Sequence, residues 1–217
     1  MHQKRLLDLF CGAGGAAMGY YLAGFEIVGV DIKPQPHYPF EFHQADALKF
    51  VVEHGAEFDV IHASPPCQTY SWCTPVPYRA RHPDLIAVVR VLLEETGKPF
   101  VIENVPGARH LLREPIMLCG TMFNLPLWRH RYFEIWPRLS TPIQLRCNHT
   151  TLPVLVSGTT RRKVGGRFEY SIAEKREAMQ IPWMTTRELD QAIPPVYTEW
   201  IGKRILEELE NGLELAH

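Results

Sequence analysis

The chain is short of the features that assign a protein to a class at a glance, and each absence removes a possibility. No uninterrupted apolar run approaches the roughly 20 residues that cross a bilayer as a helix, so no membrane association is expected. The opening residues, MHQKRLLDLF, lack a signal-peptide pattern. The five cysteines (Cys11, Cys67, Cys73, Cys119 and Cys147) are odd in number and show no paired short spacing. That argues against a disulfide framework and for a reducing cytoplasm. Metal-ligand spacing is missing too. Cys147 and His149 in CNHT have no spaced second pair, so no metal is expected, and Cys73, Cys119 and Cys147 read as structural. An excess of one charge is also absent, the net charge being −1. A polyanion would have to be held by local patches, YRARH at 78–82 and TTRRKVGGR at 159–167, each of which alone reads as a solvated loop. There is no internal repeat, no low-complexity tract and no evident protein partner.

What is present suits one globular domain of 217 residues, 46% hydrophobic and 22% charged, long enough to bury a sizeable core. RLLDLF (5–10), EIVGVD (26–31), FDVIHA (58–63), PFVIENV (99–105) and RYFEIW (131–136) read as strands. Between them lie helical stretches, one ending near Ala23 with Gly24 as its C-terminal cap, another from about Pro83 to Glu95 with Gly97 beyond. Ser171 and Glu174 form a capping box for a helix through about Gln180, and Pro194 and Pro195 open a last helix to about Glu210. Strands alternating with helices predict an α/β fold with a mostly parallel sheet covered on both faces. Residues 137–170, with Pro, Thr, Arg and a Gly-Gly pair but weak periodicity, read as an appended segment.

Two local patterns suggest chemistry. After the first strand, Gly12, Gly14 and Ala17 fit G-x-G-x-x-G/A, and Asp31 closes the next strand. This arrangement sets bare amides and a helix N-terminus beside a nucleotide-like ligand, with Asp31 able to accept from ribose hydroxyls. It serves NAD, FAD and S-adenosylmethionine folds alike, and a turn without a ligand is the lesser alternative. The second pattern is SPPCQTYS (64–71). Two prolines fix φ and remove two donors, so Cys67 sits on a stiff turn at a strand end. Such a turn aims a side chain; it is also an ordinary way to end a strand.

Taken in order, DLFCGAGG, SPPCQ, ENV and WRHR resemble the cytosine-5 DNA methyltransferase family, and KREAMQIPW and IPPVYTEWIGKRI resemble its two closing motifs. The likeness runs from Leu6 to about Ile205. It implies a Rossmann-like S-adenosylmethionine-dependent methyltransferase fold, with residues 1–136 and 171–217 as the catalytic domain and 137–170 as a minimal target-recognition segment. By the same resemblance, Phe10, Cys11, Gly12 and Gly14 line the cofactor pocket and Asp31 holds the ribose. Ile32 packs on adenine, Asp46 accepts from the adenine amino group, and Pro66 helps close the pocket.

The implied catalytic residues are Cys67, Glu103, Arg129 and Arg131. Carbon 5 of cytosine is a poor nucleophile until a thiolate adds at carbon 6, so Cys67 is expected to act covalently, with its pKa lowered by nearby cations. A Glu103 carboxyl at ring nitrogen 3 would act as general acid. Asn104 would position its loop, and the two arginines would hold the base or its phosphate and favour the thiolate. Four positions depart from the family's pattern: Asp31 replaces Glu, Leu127 replaces Gln, and Asp190-Gln191 replace Gly-Asn.

The expected substrate is a cytosine flipped out of double-stranded DNA. Arg161, Arg162, Lys163 and Arg167 are candidates for phosphate contact, Thr159, Thr160 and Phe168 for base edges, and Arg79 and Arg81 for a second DNA surface. The alternatives are the same chemistry on RNA such as tRNA, a nucleotide-binding dehydrogenase, or a non-catalytic nucleotide- or DNA-binding module.

Overall fold

A computed structural model describes residues 3–68, 70, 77, 84–140, 145–157, 161–163, 166–168 and 170–212. Cys73, Arg79, Arg81, Pro83, Thr159 and Thr160 lie outside the described residues. Seven strands form the main sheet: β1 (Arg5–Leu9), β2 (Glu26–Asp31), β3 (Glu41–Gln44), β4 (Val60–Ala63), β5 (Phe100–Asn104), β6 (Ile116–Leu118) and β7 (Arg131–Trp136). Their spatial order is β3-β2-β1-β4-β5-β7-β6. The first five run parallel, and β7 is antiparallel to both its neighbours. The central strands are buried on both faces, which is why LLDL and VIHA read as near-continuous apolar runs.

The order reverses between β1 and β4, so a crevice opens at their carboxyl ends. The glycine turn and the Pro-Pro-Cys turn both leave the sheet at that point.

Among the described residues there are six α-helices: α1 (Gly15–Ala23), α2 (Ala47–His54), α3 (Ile86–Thr96), α4 (Ile172–Met179), α5 (Thr186–Gln191) and α6 (Pro195–Glu210). Leu6, Val60, Val101 and Phe133 pack with Tyr20, Tyr197 and Ile201 of α1 and α6 on one face. Leu7, Leu9, Ile61, Phe100 and Ile102 pack with Val51, Val89 and Leu93 of α2 and α3 on the other. At Gly19 a Cβ would lie 2.0 Å from the Pro195 carbonyl, so only glycine permits this approach of α6 to α1. The Thr198 hydroxyl donates to Ala16 O across it at 2.8 Å.

Behind β7 the buried Arg90 guanidinium grips Glu134 with two bonds of 2.7 Å and donates to Leu111 O at 2.6 Å. This satisfies an ion pair that burial would otherwise make costly.

Strands β3 and β6 and helices α2 and α5 carry weaker sequence signals than the rest. β3 is an edge strand of sequence EFHQ with no buried residue. β6 spans three residues, too few to establish a period.

The segment 137–170 is only partly an appendage. A two-stranded hairpin, β8 (Arg161–Lys163) with β9 (Gly166–Phe168), forms a sheet of its own. Before it, Val156 is buried with Leu127, Met179 and Ile181, and Val154 N donates to Pro126 O at 2.7 Å.

Candidate active site

The glycine turn is built on positive φ angles at Phe10, Gly12 and Gly14, at 57°, 51° and 84°. Phe10 is the non-glycine among them, and such a conformation persists only where its surroundings enforce it. Both Asp31 oxygens hold backbone amides, Oδ2 that of Gly12 at 3.1 Å and Oδ1 that of Lys33 at 2.9 Å. A carboxylate has about four lone-pair sites, so acceptor capacity remains. The Trp183 indole donates to Ala13 O at 2.9 Å, fastening the IPW stretch after α4 to this turn.

Phe10, Cys11, Gly12, Asp31, Ile32 and Pro66 all line a crevice of about 280 Å³. Ile32, 67% exposed, holds an apolar side chain open to it. Two predicted residues are not on this wall. Gly14 begins α1 and packs on Tyr38 and Pro39. Asp46 caps α2, its Oδ1 accepting from Leu48 N at 2.9 Å and Lys49 N at 3.4 Å.

The same crevice reaches Cys67, Glu103 and Arg131. Glu103, next to last in β5, is almost fully buried, with the Arg131 Nε 3.1 Å from its Oε1. Burial pushes the Glu103 carboxyl above the usual range, against the pull of Arg131 and of a Ser64 hydrogen bond. Asn104 donates from Nδ2 to Pro65 O at 3.0 Å and accepts from Val105 N at 2.9 Å. The end of β5 thus holds the proline turn in place.

Cys67 departs from expectation. Burial, and then the Glu103 charge, push its thiol up, and Arg131 and Arg129 pull back by less. The resting residue is a thiol rather than the thiolate that neighbouring arginines predict.

Arg129 is also a correction. Its Nε donates to Ala192 O at 2.8 Å, Nη1 to the Ser157 hydroxyl at 2.9 Å, and Nη2 to Asp190 O at 2.7 Å and Leu189 O at 3.4 Å. These carbonyls are the orphan acceptors at the end of α5, where a cation also complements the helix dipole. The guanidinium is therefore largely engaged with protein acceptors, while the side chain also lines the wider cavity. Burial and Arg131 push its pKa down, but a guanidinium stays charged at neutral pH.

A wider cavity of about 560 Å³ lies beyond, lined by Leu127–Arg131, Pro153–Ser157, Val105–Gly107 and Asp190. Cys67, Gln68, Val105, Arg131 and Gln191 line both cavities. The thiol stands at their junction.

Sequence reasoning missed what lies behind Glu103. Tyr20 Oη is 3.0 Å from His62 Nδ1, and His62 Nε2 is 2.9 Å from Ser64 Oγ, whose hydroxyl reaches Glu103. Full burial pushes His62 down to about 3, so it is neutral. The signal was one polar residue, His62, inside the apolar run VIHA. Folding also brings Cys119 and His130 to Cys147 and His149, a convergence that sequence spacing does not show.

Residues 4–117, just over half the chain, match the family of C-5 cytosine-specific DNA methylases. The match ends before WRHR and the two closing stretches. Type II methyltransferase M.XorII of Xanthomonas oryzae pv. oryzae is 32% identical over 132 residues, 51% of this chain and 31% of that protein. Type II methyltransferase M.AquIA of Picosynechococcus is 29% identical over 126 residues, 48% of this chain and 50% of that protein. The chain thus spans 31% and 50% of the length of these two relatives. In fold, the crystal structure of a candidate DNA modification methyltransferase from an E. coli prophage superposes with a TM-score of 0.65 at 17% identity, covering 96% of this chain and 100% of that one.

Proposed function

The chain belongs to the C-5 cytosine-specific DNA methylase family, and from that premise we propose that it methylates carbon 5 of a flipped-out cytosine in DNA through a covalent bond from Cys67. The observation that carries the reading is the position of Cys67 where two cavities meet, beside a buried acid and a cation. One cavity fits S-adenosylmethionine: amides at a helix N-terminus, Asp31 with lone pairs to spare, and the exposed apolar face of Ile32. Bound there, S-adenosylmethionine would supply the methyl group as an electrophile. The wider cavity is left for the base.

Each residue then has a chemical task. Glu103, pushed toward its protonated form, gives a proton to ring nitrogen 3 as the Cys67 sulfur adds to carbon 6. Because the resting thiol is raised, sulfur must pass its proton to solvent as the base enters, with Arg131 balancing the charge that develops. The ring becomes an enamine whose carbon 5 can accept the methyl group. Loss of the carbon 5 proton to solvent, departure of sulfur as thiolate and return of the nitrogen 3 proton to Glu103 restore the ring. Arg129 holds the α5 end, and with it Gln191, against the base cavity. The hairpin carrying Arg161, Arg162, Lys163 and Arg167 is the candidate grip on phosphates.

Transfer of a tritiated methyl group from S-adenosylmethionine to duplex DNA, with tRNA and NAD binding as parallel arms, tests the proposal. Incorporation into DNA at carbon 5 of cytosine supports it. Incorporation into tRNA alone would move the substrate to RNA, and tight NAD binding without methyl transfer would favour a dehydrogenase.

A further inference from the structure

We propose that Cys119, His130, Cys147 and His149 bind a structural zinc ion that staples the loop after β7 to the arm carrying Arg129 and Arg131. The four ligand atoms lie within 4.8 Å of one another, although the residues come from three separate stretches of chain. Cys119 is buried at the end of β6, where it opens a short 3-10 turn, Gly120–Phe123. His130 sits between the two arginines just before β7, and Cys147 and His149 come from the loop beyond it.

The donor set is the argument. Two thiolates and two imidazoles make the Cys2His2 combination that favours zinc over the hard cations. Bonds of about 2.0–2.3 Å in a tetrahedron set neighbouring ligand atoms roughly 3.3–3.8 Å apart. Cys119 Sγ and His149 Nε2 are already 3.3 Å apart. The remaining pairs close onto a metal with shifts of about 1 Å or less. A cysteine–histidine hydrogen bond alone would account for two of the four groups and leave the convergence of His130 and Cys147 without a cause.

The surroundings orient the ligands. Trp128 stacks on His149 at 4.6 Å between ring centroids, and the rings of His130 and His149 are 5.0 Å apart. Thr121 Oγ1 lies 3.4 Å from Cys119 Sγ and accepts from Asn148 N at 3.1 Å, tying the loop backbone to the 3-10 turn. Outer-shell contacts of this kind fix ligand geometry at metal sites.

Four protein ligands leave no open position, so the ion would be structural rather than catalytic. Its consequence is positional. His130 is held between Arg129 and Arg131, and the loop from Cys147 continues into Pro153–Ser157 on the wall of the wider cavity. One ion would fix both sides of that cavity.

Elemental analysis of the untagged full-length protein is the test, and it needs no substrate. The expected result is about one zinc ion per chain, retained in Cys67→Ser and reduced to below about a tenth in Cys147→Ser and in His149→Ala. Cobalt exchanged into the wild type should give thiolate-to-cobalt and tetrahedral visible bands that Cys147→Ser loses. A wild type free of zinc after purification, with no cobalt bands and an unfolding temperature indifferent to added zinc, would overturn the proposal. So would a Cys119–Cys147 disulfide found by mass spectrometry of protein made in a reducing cytoplasm.

Discussion

The two cavities that meet at Cys67 are built in opposite ways. The smaller is walled mostly by turns close to the strands that launch them: Phe10–Gly12 after β1, Asp31 and Ile32 at the end of β2, and Ser64–Cys67 after β4. The wider one is assembled from chain stretches far apart in sequence, 105–107, 127–131, 153–157 and 190–191. A wall made of short turns on a sheet is set by local backbone geometry. A wall made of distant segments depends on links between them, here Arg129 to α5 and Ser157, and Tyr197 Oη to Arg129 O at 2.7 Å. Chemistry at the junction should therefore be sensitive to both walls, and cofactor affinity chiefly to the first.

The largest expected effect is at the junction. Glu103→Gln keeps the shape but removes the acidic proton, and single-turnover methyl transfer should fall about 10²–10⁴-fold. S-adenosylmethionine binding measured by calorimetry should change little, because Glu103 is assigned to the base. A rate within about threefold of wild type would make Glu103 structural.

Next comes the wider wall. Arg129→Lys keeps the charge but cannot reach four acceptors as a guanidinium does. Displacing α5 and Ser157 by about an ångström should lower kcat by up to about 100-fold, with a smaller loss of cofactor affinity, since Gln191 and Ala192 also edge the smaller cavity. Equal losses in both would show that the two walls are not separable.

On the smaller wall, Asp31→Ala should weaken S-adenosylmethionine binding by about 1–3 kcal/mol, or about 5- to 150-fold. Methyl transfer at saturating cofactor should stay close to wild type. A normal affinity would remove Asp31 from the cofactor site.

The smallest effect concerns stability beneath that wall. Asp8, fully buried in β1 and accepting from Tyr38 Oη at 3.4 Å, is pushed by burial from about 3.8 up to about 8. The native state therefore binds this proton more tightly than the unfolded chain. Its stabilising contribution is complete below about pH 4 and is lost as pH rises through about 8. His62, pushed from 6.5 down to about 3, acts in the other direction, and its contribution is lost as pH falls below 6.5. Urea unfolding between pH 5 and 9 should show stability declining on the alkaline side in the wild type and a flatter limb in Asp8→Asn. Equal slopes would mean that Asp8 is ionised in the native state.

The same contrast explains what could be read from the sequence. The strands RLLDL, EIVGVD and RYFEIW, the glycine turn and the capping box at Ser171 are local patterns, and folding leaves them where the pattern puts them. The edge strands were not legible, because EFHQ and IML owe their pairing to neighbours already in the sheet. Arg129 was assigned to the ligand because spacing cannot reveal that the α5 carbonyls come to meet it. The charge state of Cys67 was misjudged for a related reason: the arginines are near, as expected, but burial and Glu103 outweigh them. The Cys119–His130–Cys147–His149 cluster spans 31 residues and three loops, a separation at which no short motif is visible.

The central claim, covalent addition of Cys67 to cytosine, is tested most directly with duplex DNA in which 5-fluorocytosine replaces cytosine. Fluorine cannot leave carbon 5 as the proton does, so a covalent complex should accumulate. The account predicts a denaturation-resistant protein–DNA species that requires S-adenosylmethionine, that maps by mass spectrometry to Cys67, and that is absent from Cys67→Ser. Methyl transfer to ordinary DNA by a wild type that forms no such species, or the same species formed by Cys67→Ser, would contradict it.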